Sequence, residues 1–135
     1  MDGLFRIVNP TIGVRHYKWR TVRIDVHDTS LRRKGSHNGE NFEFDIIVHD
    51  GNTIVIVEVK TTLRVQYVQQ FVSKLEKARL WLDEYRNHKV YGAVAFLRSE
   101  ENSDNFAESH SLFVIRATGN SASIENKQGF IPKAF

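Results

Sequence analysis

Apolar and polar positions along the chain fall into blocks of two different periods. In Thr21–Leu31, Val22, Ile24 and Val26 alternate with Arg23 and Asp25, the period-two pattern of a half-buried strand. The run LRRKGSHNGEN that follows is read as an exposed loop. Phe42–His49 and Thr53–Lys60 are rich in Phe, Ile and Val and flank Asp50-Gly51-Asn52, which predicts an antiparallel hairpin. From about Leu63 to Arg86 the period becomes helical: Val68, Phe71, Val72, Leu75, Ala78, Leu82 and Tyr85 recur at spacings of three and four, with Thr61 or Thr62 as the expected cap. Lys89–Leu97 (KVYGAVAFL) is almost continuously apolar and predicts a buried strand, of the kind that runs parallel in a helix-covered sheet. A polar stretch, Ser99–His110, is assigned a short helix. A strand at Ser111–Ala117, a turn at Gly119-Asn120 and a last strand near Ser123–Glu125 complete the chain. The first twenty residues are weakly patterned, and Pro10 and Gly13 exclude a long helix there. The order β-β-β-α-β-α-β-β predicts an α/β protein, a mixed sheet with helical cover.

Composition narrows this picture. At 135 residues and 41% apolar content the chain supports one core, so residues 1–135 are expected to form a single domain, with 1–20 irregular or shortened. Cysteine is absent, which excludes disulfides and thiolate metal sites and suits a reducing, cytoplasmic setting. No apolar run is long enough to span a bilayer, and MDGLFRIVNP lacks a hydrophobic signal core. The net charge of +3 is unevenly spread: residues 1–40 hold eight Lys/Arg against four acids, giving +4, and the remainder sums to −1. A basic leading third suits contact with a phosphate backbone, with Arg32, Arg33 and Lys34 as candidate nucleic-acid contacts; a merely solvated basic surface has the same composition.

The unusual feature is charge inside apolar strands. Glu43 and Asp45 interrupt the Phe42–Val48 run, and Glu58 and Lys60 close Ile54–Val59. Side chains two apart share a strand face, ~7 Å apart along it. A two-residue loop at Gly51-Asn52 would pair Asp50 with Thr53 and set Asp45 opposite Glu58 and Glu43 opposite Lys60; a loop at Asp50-Gly51 would set Glu43 opposite Glu58. Either register gathers the four charges on one face. Opposed carboxylates repel, so a counter-charge is expected. A hard divalent cation, Mg²⁺ or Mn²⁺, suits carboxylates and water, and no Cys or paired-His spacing points to zinc. A purely structural arrangement competes with this, in which Glu43 pairs with Lys60 while Asp45 and Glu58 sit at exposed strand ends. The histidines show no ligand spacing; His49, four residues after Asp45, is the one expected on its face. Trp81 and Tyr85, at helical spacing, read as core or partner contacts.

Asp45, then Glu58-Val59-Lys60 ending the next strand before an amphipathic helix, resembles the core of the PD-(D/E)XK, or restriction-endonuclease-like, nucleases. FEFDIIVHDGNTIVIVEVKTTL, YGAVAF, SLFVIRATG and the ending GFIPKAF look like a prokaryotic branch of that superfamily. The resemblance implies a restriction-endonuclease-like mixed sheet flanked by helices. It makes Asp45, Glu58 and Lys60 catalytic, with Asp45, Glu58 and the backbone carbonyl of Val59 as ligands of Mg²⁺ or Mn²⁺. The implied activity is metal-dependent cleavage of nucleic-acid phosphodiesters, DNA in the first instance, by an endonuclease that could work as a homodimer. Glu43, Gln66 and Gln70 are auxiliary candidates. Related domains usually begin with a longer helix carrying a further acid, whereas here Asp2 is the only acid before Asp25. A catalytically silent nuclease-fold module that binds nucleic acid or a protein is therefore the alternative.

Overall fold

The structure, a computed structural model, describes residues 28–118 and 121–135. Among them, six strands form one sheet in sequential order: β1 (Asp28–His37), β2 (Glu40–Asp50), β3 (Thr53–Leu63), β4 (Lys89–Ser99), β5 (Phe113–Thr118) and β6 (Ser121–Ile124). Helix α1 (Val65–Trp81) with a single 3-10 turn (Asp83–Tyr85) joins β3 to β4, and α2 (Ser103–Ser109) joins β4 to β5. β1, β2 and β3 pair antiparallel, β3, β4 and β5 parallel, and β6 antiparallel to β5. The fold is therefore α/β with a mixed sheet flanked by two helices. The residues expected to start the first strand before Asp28 lie outside the described part.

Both parallel connections carry a helix, because strands running the same way need a crossover long enough to return the chain. Two crossovers of one hand advancing in one direction place both helices on the same face. That face holds the larger core: Ile54, Ile56, Val90, Val94 and Phe96 of the sheet meet Val68, Phe71, Leu75, Ala78 and Leu82 of the α1 region and Ala107 of α2. The opposite face is thinner, with Val55, Val57, Tyr91, Ala93, Ala95, Phe113 and Ile115 under Phe130 of the C-terminal segment. Asn126 ties that segment down. Its side chain accepts the Val114 N–H at 2.8 Å and donates to the Leu112 carbonyl at 3.1 Å. Among the described residues no helix is long and apolar enough to cross a membrane.

Three local expectations are corrected. LRRKGSHNGEN is not an exposed loop: residues 31–37 belong to β1, which pairs with β2 at each of them except Arg32, and the chain turns at Asn38-Gly39, φ +48° and +83°, the positive pair that a type I′ hairpin requires. The strand is polar because it is the outermost one described, and edge strands carry charge. Thr61 and Thr62 do not cap α1, because β3 runs on to Leu63, held by the pairs Thr62↔Arg98 and Leu63↔Ser99; Arg64 takes the N-cap position. The long helix also stops at Trp81 instead of reaching Arg86.

Gly92 in β4 lies under both helical connections. A Cβ there would collide with the Leu75 side chain and lie 2.8 Å from Leu112 Cδ2, and both leucines are fully buried. Gly92→Ala is expected to destabilise the fold by about 1–3 kcal/mol through overpacking, read as a lower urea midpoint with an unchanged slope.

Candidate active site at the parting of two strands

The β2–β3 ladder starts at Asp50↔Thr53 and ends at Ile46↔Val57. The two-residue loop at Gly51-Asn52, with Gly51 at φ +58°, thus sets the register that aligns Asp45 with Glu58. Beyond Ile46 the strands part. The Val59 N–H, which has no β2 partner there, is accepted instead by Asp45 Oδ2 at 2.9 Å. A strand residue presents its N–H and C=O to the same side, so the Val59 carbonyl faces the same gap.

Asp45 reaches this point because the alternation of β2 is broken beside it. The β1–β2 pairing runs from Leu31↔Ile46 to Arg33↔Phe44 and skips Arg32 and Asp45, with Arg32 at φ +50°. Phe44 and Phe42 consequently both enter the core beneath α1, where Phe42 stacks on Trp81 at a 5.4 Å centroid distance. Glu43, between them, is turned to the other face, where it is exposed and lies 3.9 Å from Lys34. The four charges are therefore not on one face: Asp45, Glu58 and Lys60 come together and Glu43 does not. The structural alternative fails on the same fact, since Glu43 pairs with Lys34 and Glu58 is only 8% exposed.

Burial dominates the electrostatics of Glu58. Desolvation pushes its carboxyl up from 4.5 to about 7; the Lys74 ammonium opposes this, a hydrogen bond with Asp45 and the Asp45 charge add to it, and Lys60 lowers it. Lys74, from α1, lies 3.8 Å from Glu58 Oε2 and 5.1 Å from the centre of the Phe44 ring. The Lys60 ammonium rests 4.4 Å from the centre of the Tyr67 ring, also on α1. Lys74 and Tyr67 were not identified from sequence. Their only signal was position on the helix after Lys60, and which helical residues meet the strand end depends on how α1 crosses the sheet.

Among the described residues no three His, Cys, Asp or Glu side chains gather. The groups that could hold a small hard cation here are the two carboxylates, Asp45 and Glu58, and the Val59 carbonyl. Mg²⁺ typically binds through one or two carboxylates and retains water, unlike cations held in all-protein cages.

Other candidates lie apart from this group. Gln66 and Gln70 are exposed on α1. Arg33 pairs with Glu84 at 2.5 Å, so of the three β1 cations Arg33 and Lys34 already face acids of the chain, while Arg32 is exposed. His49 accepts or donates a 2.5 Å hydrogen bond at Nε2 with the Tyr85 hydroxyl, which makes it part of the core edge. An open hollow of about 670 Å³ lies along the outer end of the β1–β2 hairpin, beside Lys34 and Glu43. It does not include the carboxyl pair.

No family model and no curated protein matches the sequence. Among solved structures, that of an EndoMS–double-stranded DNA complex is similar at a TM-score of 0.47 and 19% identity; the match covers 64% of this chain and 34% of that one.

Glu58 should imprint itself on stability. Its raised value means the folded state holds more protons than the unfolded state between about 4.5 and about 7, so stability falls as pH rises through that window and levels off above it. In chelator-treated buffer the loss is expected to be at most about 3 kcal/mol, less where solvent reaches the carboxylate. Glu58→Gln should flatten the profile of urea midpoint against pH, and an equal slope in both proteins would contradict the assignment.

Proposed function

We propose that this chain is a divalent-cation-dependent nuclease that hydrolyses phosphodiester bonds of nucleic acid, DNA in the first instance. The observation that supports this most is the pairing of a desolvated Glu58 with Asp45 in the gap between β2 and β3, with Lys60 beside them. Closely opposed acids in a partly dry setting are costly, and a cation bound between them removes that cost.

In this reading Asp45, Glu58 and the Val59 carbonyl hold Mg²⁺ or Mn²⁺. The ion, when bound, supplies Lewis-acid polarisation of a phosphate oxygen and lowers the pKa of coordinated water. Asp45 has two tasks: Oδ2 fixes the Val59 N–H and so the direction of the neighbouring carbonyl, and the carboxylate, hydrogen-bonded to Glu58 while that acid is protonated, would face the ion once the proton is lost. Glu58 reaches its ligand form by losing the proton that burial favours. Lys60 places a positive charge at the same strand end, where it stabilises the extra negative charge that develops on the phosphate as the P–O bond breaks. The Tyr67 ring limits the swing of that side chain, leaving less reorganisation to the transition state. Exposed Arg32 can add a contact to the phosphate backbone without reading bases.

One observation favours a second reading. Lys74 already supplies a positive charge to Glu58, so the acids are partly balanced without any ion, as a silent nucleic-acid-binding module would require.

Cleavage assays on plasmid, linear duplex and single-stranded substrates in Mg²⁺, Mn²⁺ or EDTA separate the two readings: divalent-dependent cutting supports the enzyme, and binding without cutting supports the module. Asp45→Ala and Glu58→Ala should each lose ion binding and cleavage together. Lys60→Met should retain ion affinity while single-turnover cleavage falls by roughly 10²–10³-fold, the scale of removing one transition-state stabiliser. A Lys60→Met protein that cuts at the parental rate would remove Lys60 from the mechanism.

A further inference from the structure

Lys74 lies in α1 next to the core positions Phe71, Leu75 and Ala78, with its side chain only 26% exposed. A lysine this close to the packed face has traded hydration for something, and two partners are visible. Its ammonium lies over the Phe44 ring and 3.8 Å from Glu58 Oε2. That separation is a charge contact and not a hydrogen bond, since charge-assisted N–H···O bonds close to about 2.7–2.9 Å. The ammonium is attracted to the acidic pair without being locked to it.

Electrostatics then sets Lys74 against any second cation. A divalent ion between Asp45 and Glu58 would replace a single charge by two and contact both acids. The ammonium, already within 4 Å of one of them, would repel it in a region of reduced dielectric. Displacing Lys74 breaks no hydrogen bond to Glu58, and the four-carbon stem gives it room to swing toward solvent while staying beside Phe44.

We propose that Lys74 is a resident counter-ion of the Asp45–Glu58 pair that a divalent cation must displace. This rests on the reading of that pair as a cation site. Lys74 stabilises the ion-free protein and weakens its ion affinity, so the site stays charge-balanced until the divalent ion arrives. The displaced ammonium stays at the mouth of the gap, where an approaching phosphate would meet it. Lys74 is thus a positioning and competing group, distinct from Lys60, whose ammonium is placed over Tyr67.

The test is calorimetric Mn²⁺ titration of the chelator-stripped full chain in four forms: parent, Lys74→Met, Lys74→Gln and Lys74→Arg. Both neutral variants should bind Mn²⁺ about tenfold or more tightly than the parent, as removal of a charge next to the ion requires, while Lys74→Arg stays close to the parent. Thermal unfolding supplies a second readout. Without ion the neutral variants should melt below Lys74→Arg, and added Mn²⁺ should raise their midpoints by more. Having two neutral side chains guards against one of them failing to fold. Equal Mn²⁺ affinity in parent and neutral variants overturns the proposal and leaves the nuclease reading intact. Ion binding that tightens as expected, without cleavage by the parent, upholds the proposal and overturns the nuclease reading. Absence of Mn²⁺ binding in all four forms overturns both.

Discussion

The hydrogen bond from the Val59 N–H to the Asp45 carboxylate stands where the β2–β3 ladder would have continued. A backbone donor left between parting strands must find an acceptor, and a side chain from the departing strand provides it. Much else at the site follows from that substitution. It places one carboxylate beside Glu58 and turns the Val59 backbone toward the space between the strands. The strands can part only because α1 covers the opened end: Phe42 and Phe44 gather around Trp81, and Lys77 reaches Glu40 at 3.0 Å.

Charge balance at this point comes from three elements, none sufficient alone. β2 and β3 bring the acids together, and α1 brings Lys74 and the ring under Lys60. Burial raises the cost of ionising Glu58, and the two lysines lower it. The carboxyl is therefore held between protonation and internal ion pairing. A poised site of this kind is typical of functional positions, although structural ion-pair networks perturb acids in the same way.

Much of this was legible in the sequence. The Asp50-Gly51-Asn52 turn predicts the hairpin, and of the two registers it allows, the one with Asp50↔Thr53 is present. KVYGAVAFL read as a buried strand and is parallel to both neighbours. The failures have definite causes. Asn38-Gly39 carries a strong turn signal, but the polar residues before it masked an edge strand, because alternation is weak where only one face is packed. Strict alternation through Asp45 puts Glu43 on the face of the other charges, whereas in the structure the alternation breaks there, with Phe42, Phe44 and Ile47 all in the core beneath α1 and Arg32 opposite at φ +50°. Lys74 and Tyr67 belong to the site only through the docking of α1 on the sheet, and no local period encodes an interhelical or helix–sheet angle.

Gly35 and Phe42 are cross-strand partners, and the Phe42 ring lies where a Cβ at position 35 would have to be. The same ring stacks on Trp81, so a small residue on the outer strand is linked through one aromatic ring to the helix that carries Lys74. Evolutionary drift at this distant position would therefore not be neutral. A larger side chain at 35 would push against the ring, and so against the helix that sets the charge balance of the acids. Among descendants of this sequence, positions 35, 42 and 81 should change as a set, and such coordinated change would trace the mechanical support of the site without touching any group that performs its chemistry.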